Sequence, residues 1–415
     1  MSGTGVQPAR RRLAALGELP AFEDEMVGGE VRDPYPAFAE KRRSEPVWYG
    51  TFLRADMLPG GLEPRRDWMV FRYEDCSRVL RDAEHFTSTA YRETIGLVFG
   101  RTLLEMDDPE HKLHRNLVAR AFGPRALARW EQEVIAPVCH DLVDRFAGRG
   151  RAELVSELTS HFPVRVIAGI LGLPDEDFGQ FHRWANDLFC VATSPERGLA
   201  ASAALGDYFA EVVAERRRRP GEDVVSDLVR AEVDGARLDD EAVCSFLRIL
   251  LTGGADTTYR GTGSLLLLLL SHPEQLRAVS ADRRLVPQAV EEALRIEPPA
   301  VGVFRRATSD TEIAGVPVAA GADVYVVIAS ANHDESRWGE ADRFDIFRPP
   351  MAHLTFAHGP HVCLGAHLAR METRILLDTV LDRLPGLRLD PGAGDPHTHG
   401  LLFRSPTAVP VVFDR

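Results

Sequence analysis

The chain has 415 residues, 45% hydrophobic and 27% charged, which are proportions of a water-soluble globular protein and exclude collagen, wholesale disorder and a disulfide scaffold. Lys and Arg number 49 and Asp and Glu 62, a net charge of −13, which argues against a nucleic-acid binder. Five cysteines (Cys76, Cys139, Cys190, Cys244 and Cys363) with no CxxC pair favour neither disulfides nor a thiolate zinc site and suit a reducing cytoplasm.

In chain order, residues 1–30 carry Gly, Pro and mixed charge without a secretory apolar run, so a loose lead-in is expected before one large domain, 31–415. Trp68 to Phe71 predicts a strand, followed by a helix to Leu80. The stretch Phe86 to Met106 lacks periodicity and reads as a long loop with Ile95, Leu97, Val98 and Phe99 on it; such loops are usually functional. Asp108, Pro109 and Glu110 predict a helix start, running to about Phe122. Further helices are expected at Arg125 to Phe146, Leu158 to Leu171, Asp175 to Leu188 and Ala200 to Arg218.

From Asp239 or Asp240 to Ser271 no proline interrupts a largely apolar pattern. That length gives a helix of ~48 Å, long enough to cross the middle of the molecule. Its longest purely apolar run, Leu265 to Leu270, is far too short to span a bilayer. Gly253 and Gly254 sit inside this helix, where each costs ~1 kcal/mol relative to Ala; breaking a local rule there marks a functional site. After Pro287 a helix leads to Leu294. Val324 to Ile328 predicts a buried strand, Phe344 to Leu354 an irregular segment, Leu364 to Leu384 a last helix, and the tail a hairpin. The fold class is mainly α with small β-sheets.

Cys363 stands just before that last helix, flanked by Gly359 and Gly365. Helix-start amides lower a thiol pKa, and glycines let backbone approach a ligand closely, so the loop suits a thiolate bound to a large flat cofactor. On these grounds alone a buried structural cysteine, or a nucleophile paired with His361 or His367, stays open.

Phe356 to Gly365 also matches Phe-x-x-Gly-x-(Arg/His)-x-Cys-x-Gly at all six positions. The segment resembles the haem-binding loop of cytochrome P450 haem-thiolate monooxygenases, and Leu368-Ala369-Arg370 continues as in bacterial members. Ala357, where glycine is common, departs mildly. The resemblance covers about residues 30–415 and implies a mainly α fold with a small β side, and haem b ligated by Cys363 within a loop that includes Phe356, Gly359 and Gly365. It implies that Glu292 and Arg295, of the Glu-x-x-Arg motif, clamp this loop together with Arg343. His111, Arg115, Arg305 and His361 would meet the haem propionates. Asp256 and Thr257, beside Gly253 and Gly254, would handle protons during O–O cleavage.

The activity so implied inserts one oxygen atom of O2 into a hydrophobic small molecule by hydroxylation or epoxidation. The pocket would be lined by Ile95, Leu97, Val98, Phe99, Leu250, Gly253, Gly254, Val301, Val303 and Leu402, and by residues near Leu188 to Ala192. No flavin or Rossmann fingerprint is present, so electrons from NAD(P)H would arrive through a ferredoxin reductase and a ferredoxin, near Lys112 and Arg120. A peroxide-driven or rearranging enzyme would share Cys363 but need no acid–alcohol pair; a non-catalytic haem sensor or carrier is the other alternative. No nucleic-acid or membrane partner is expected.

Overall fold

A computed structural model describes residues 29–54, 57, 64–174, 177–189, 191 and 194–415. Most of the expected lead-in, 1–28, lies outside these residues, as do Cys190 and Ala192.

The central helix runs unbroken from Asp240 to Ser271. Asp239 caps it, accepting the Ala242 N–H at 2.8 Å, and Asp240 and Glu241 complement the positive helix end. From Val243 onward most of its residues are buried, because other helices surround it: Phe162–Ile170, Pro195–Arg218, Val286–Ile296 and Ala366–Arg383 all pack on it. Leu247, Leu251, Leu265 and Leu266 join Ile167, Leu205, Val290 and Leu376 in one continuous core.

The expected helix Arg125 to Phe146 is three pieces: Pro124–Trp130, a π turn Glu131–Ile135, and Ala136–Asp144. Leu158 to Leu171 likewise splits, a π turn Val155–Thr159 preceding Phe162–Ile170. The loop Phe86 to Met106 holds a two-residue strand, Phe86–Thr87, and a one-turn helix, Gly96–Phe99.

The main sheet has five strands in the spatial order Val47–Gly50, Asp67–Val70, Asp323–Val326, Val303–Ala307, Phe86–Thr87. Only the central pair, Asp67–Val70 with Asp323–Val326, is parallel. This sheet has its own smaller core around Val70, Val324, Val326 and Trp338. Near the C-terminus Thr398–His399 pairs with Ser405–Pro406, and the intervening turn reaches back: Val301 N–H donates to Leu402 O at 3.0 Å, and Arg404 N–H to Pro299 O at 2.9 Å. Among the described residues no helix is long and apolar enough to cross a membrane.

Candidate active site

The Cys363 loop is shaped by its backbone. The Cys363 N–H donates to Phe356 O at 2.8 Å and the Val362 N–H to Gly359 O at 3.1 Å, folding the segment onto itself. Gly359 has φ +74°, and a Cβ there would lie 2.6 Å from Leu80 O, so both conformation and space demand glycine. Ala357 also lies in the left-handed region, at φ +59°, which costs an L residue ~1–2 kcal/mol. His358 Nδ1 sits 3.0 Å from Ser77 Oγ, tying the loop to the helix Tyr73–Arg81.

The sulfur of Cys363 opens onto an enclosed recess. The residue is exposed, yet burial is the dominant influence on its thiol and pushes the pKa up. The amides of Gly365 and Ala366 and the charges of Arg115 and Arg370 pull the other way. The expected lowering by the helix start is therefore outweighed: two amides cannot replace the water removed around the sulfur.

Below the loop lies a buried clamp. Arg295 donates to both carboxylate oxygens of Glu292, at 2.8 and 2.9 Å, and its remaining donors reach Asn332 O, Ala341 O and Arg343 O. Arg343 was expected as the third member, and the structure corrects this. Its side chain is 60% exposed and pairs with Glu340; only its carbonyl touches the clamp. Arg348 takes the place, donating to Glu292 Oε1 at 3.2 Å with its side chain 12% exposed. In the irregular segment, chain direction turns Arg343 outward and Arg348 inward.

Four basic side chains gather beside Cys363. His111, on the helix Glu110–Ala119, stacks on His361 with ring centroids 4.1 Å apart. Asp108 accepts the Lys112 N–H at the start of this helix and lies 3.4 Å from His111 Nδ1, while His111 Nε2 is buried without a partner. Arg115 donates to Val362 O at 2.6 Å, and Arg305, 4% exposed, to Phe304 O at 2.7 Å. Burial, with the charges of Arg305, His111 and Arg115, pushes the His361 imidazole down to about 3; burial lowers Arg115 and Arg305 as well. Among the described residues no carboxylate forms an ion pair with Arg115, Arg305 or His361. Such a set, short of anions and next to a thiol, fits a ligand that brings its own carboxylates, as haem does with its two propionates.

Across the recess, the central helix presents a different surface. Gly253 is exposed in the midst of a buried helix, and a Cβ there would meet nothing within 4 Å. Thr257, one turn on and partly exposed, donates from Oγ1 to Gly253 O at 2.9 Å. Gly254 has another reason to be glycine: its Cβ would lie 2.6 Å from Ile167 Cδ1. Asp256 is buried and held by Arg260, both carboxylate oxygens accepting at 3.0 Å. Arg260 also reaches Ser405 Oγ at 3.3 Å and lies 5.2 Å from the Phe403 ring. The acid is thus tied to the 400–406 turn.

The expected pocket residues differ in exposure. Leu250, Val303 and Leu402 are partly exposed. Val301 is buried in a small cluster with Phe38, Phe71 and Leu401. The one-turn helix Gly96–Phe99 fans its residues apart: Val98 and Phe99 enter the main core, Ile95 packs against it, and Leu97 is 62% exposed. Arg120 bonds Glu232 O. Arg260, Arg348 and the ion pair of Glu291 with Arg370 escaped the sequence reading. An Asp–Arg spacing of four was visible for Asp256 and Arg260; nothing local marked Arg348.

The family profile for cytochrome P450 matches residues 61–387. The chain is 38% identical over 395 residues to nocardicin C N-oxygenase of Nocardia uniformis, covering 92% of this chain and 96% of that one. It is 37% identical over 365 residues to mycinamicin IV hydroxylase/epoxidase of Micromonospora griseorubida, covering 83% and 89%. The crystal structure of CYP109Q5 from Chondromyces apiculatus superposes with a TM-score of 0.83 at 37% identity, covering 92% of this chain and 95% of that one.

Proposed function

This chain belongs to the cytochrome P450 family and is a haem b monooxygenase, and from that premise we propose that Cys363 is the thiolate ligand of the iron and that the substrate is a hydrophobic small molecule undergoing hydroxylation or epoxidation. The supporting observation is the gathering of His111, Arg115, Arg305 and His361 beside Cys363, the last three without a carboxylate ion-pair partner among the described residues. Haem bound through a thiolate activates O2 for oxygen insertion, the thiolate favouring O–O cleavage. The chain's residues do the rest. Arg115 and Arg305 bind propionates by charge-assisted bonds, and the two histidines line the same carboxylates. The Glu292–Arg295–Arg348 clamp orients the loop. Thr257 Oγ, held by Gly253 O, would hand protons toward the oxygen site, and the Asp256 carboxylate would relay them, taking each proton from water on a lone pair before passing it on. The apolar walls exclude water.

Electrons come from NAD(P)H through a ferredoxin reductase and a ferredoxin, and the protein works in the cytoplasm. The printed names of the relatives, a hydroxylase/epoxidase and an N-oxygenase, favour a secondary metabolite as substrate. The test is Cys363→Ala: the thiolate-type carbon monoxide spectrum disappears, whereas alanine at Cys76, Cys139 or Cys244 leaves it intact. Retention of that spectrum in Cys363→Ala refutes the reading.

A further inference from the structure

A charge pair that the mechanism leaves unused stands behind the thiolate. Arg370, on the first turns of the helix Ala366–Arg383, donates to both carboxylate oxygens of Glu291, at 2.6 and 2.9 Å. Its guanidinium carbon lies 4.4 Å from the centre of the Phe356 ring, and Phe356 O accepts the Cys363 N–H. The Arg370 charge acts on the Cys363 sulfur, and Glu291, bound to it, brings the opposite charge to the same place. Both side chains are a little over one-third exposed, at 36% and 40%.

We propose that Glu291 and Arg370 are positioning residues that set how readily the iron accepts its first electron, Arg370 favouring the reduced state and Glu291 limiting that effect. This rests on the reading of Cys363 as the iron ligand. The electron adds one negative charge to the iron–thiolate unit with no bond made or broken. A nearby cation stabilises that charge, and a carboxylate paired with the cation screens it. The fork geometry also holds the guanidinium over the Phe356 ring, which restrains its distance from the sulfur.

The experiment is a dye-mediated dithionite titration of the holoenzyme without substrate. It compares the wild type with Arg370→Gln, Glu291→Gln, the double variant and Arg370→Lys. At a fixed potential, the ferrous-to-ferric ratio is expected to fall roughly three- to tenfold in Arg370→Gln and to rise by a similar factor in Glu291→Gln; tenfold corresponds to about 59 mV for one electron. The double variant returns to within about twofold of the wild type, and Arg370→Lys, which keeps the charge, stays close to it. Structural damage would move both single variants the same way, so shifts of equal sign, or none in Glu291→Gln with haem retained, overturn the proposal. Should Arg370→Gln lose haem, the direction of the Glu291→Gln shift decides alone. Absence of the thiolate carbon monoxide band in the wild type would instead refute the Cys363 reading.

Discussion

The two walls of the recess are built on opposite principles. On the Cys363 side, Arg295 spends its donors on Glu292 and three carbonyls, Arg348 adds a second cation to the same carboxylate, and Gly359 is wedged against Leu80. On the central-helix side, Gly253 faces open space and Thr257 is held only by a bond within its own helix. If Cys363 ligates the iron as proposed, its wall has to hold still and is overdetermined, while the stretch of central helix at Gly253 and Thr257 is left open for a substrate. Damage to the first wall should cost folding and haem together, and damage to the second at Gly253 or Thr257 should cost chemistry alone.

The sharpest way to break this contrast is Glu292→Ala. It strands Arg295 as an unpaired buried cation, a loss of ~3–5 kcal/mol, so thermal unfolding should move down by many degrees and purified protein should carry little haem. A folded, haem-loaded Glu292→Ala would show that the wall is not overdetermined. Next in size come Arg115→Ala and Arg305→Ala. Losing one charge-assisted bond should weaken haem binding by ~1.5–3 kcal/mol, read as faster haem transfer to apomyoglobin with little change in secondary structure.

The opposite wall should respond differently. Thr257→Val deletes one hydroxyl of a helix-internal bond, worth ~1 kcal/mol, and should leave haem content and NAD(P)H oxidation near normal. Hydrogen peroxide should rise and product per NAD(P)H fall. Asp256→Asn should instead slow turnover as a whole and, because it leaves the buried Arg260 without its counter-charge, also lower the unfolding temperature. Unchanged coupling in Thr257→Val with intact haem would remove Thr257 from the proton path. The smallest effect is expected at Ala357→Gly. Relief of the left-handed conformation outweighs the added unfolded-state entropy, so stability should rise by up to ~1 kcal/mol; a fall would mean that the Ala357 methyl contributes more by packing than its φ costs.

Much of this was legible in the residues. The central helix was expected from Asp239 or Asp240 to Ser271 and spans Asp240–Ser271, because a proline-free apolar stretch with an acidic cap is a strong local pattern. The last helix was expected over Leu364 to Leu384 and spans Ala366–Arg383. Short strands such as Phe86–Thr87 and Val316–Val318 were not legible, since two or three residues cannot display alternation. Neither were the π turns at Glu131 and Val155, where one extra residue per turn shifts the helical face without changing composition. Arg343 was mistaken for Arg348 for a related reason: an irregular segment has no period, so inward and outward positions cannot be told apart by spacing. The Asp256–Arg260 pair was hidden by Thr257, whose adjacency to the acid drew the chemical reading away from the residue four positions on.

Gly253 and Gly254 look interchangeable on paper, yet a side chain at each would meet different surroundings. At 254 a single methyl group would press on the Ile167 side chain of a neighbouring helix, so a substitution there makes Ile167 shift its rotamer. At 253 a methyl group meets no atom of the protein and adds helix propensity, so fold maintenance does not oppose it. A substitution at 253 therefore enters the site without disturbing any other side chain, whereas one at 254 first displaces Ile167. Of two identical neighbours in the chain, one is fitted to the scaffold and the other to open space.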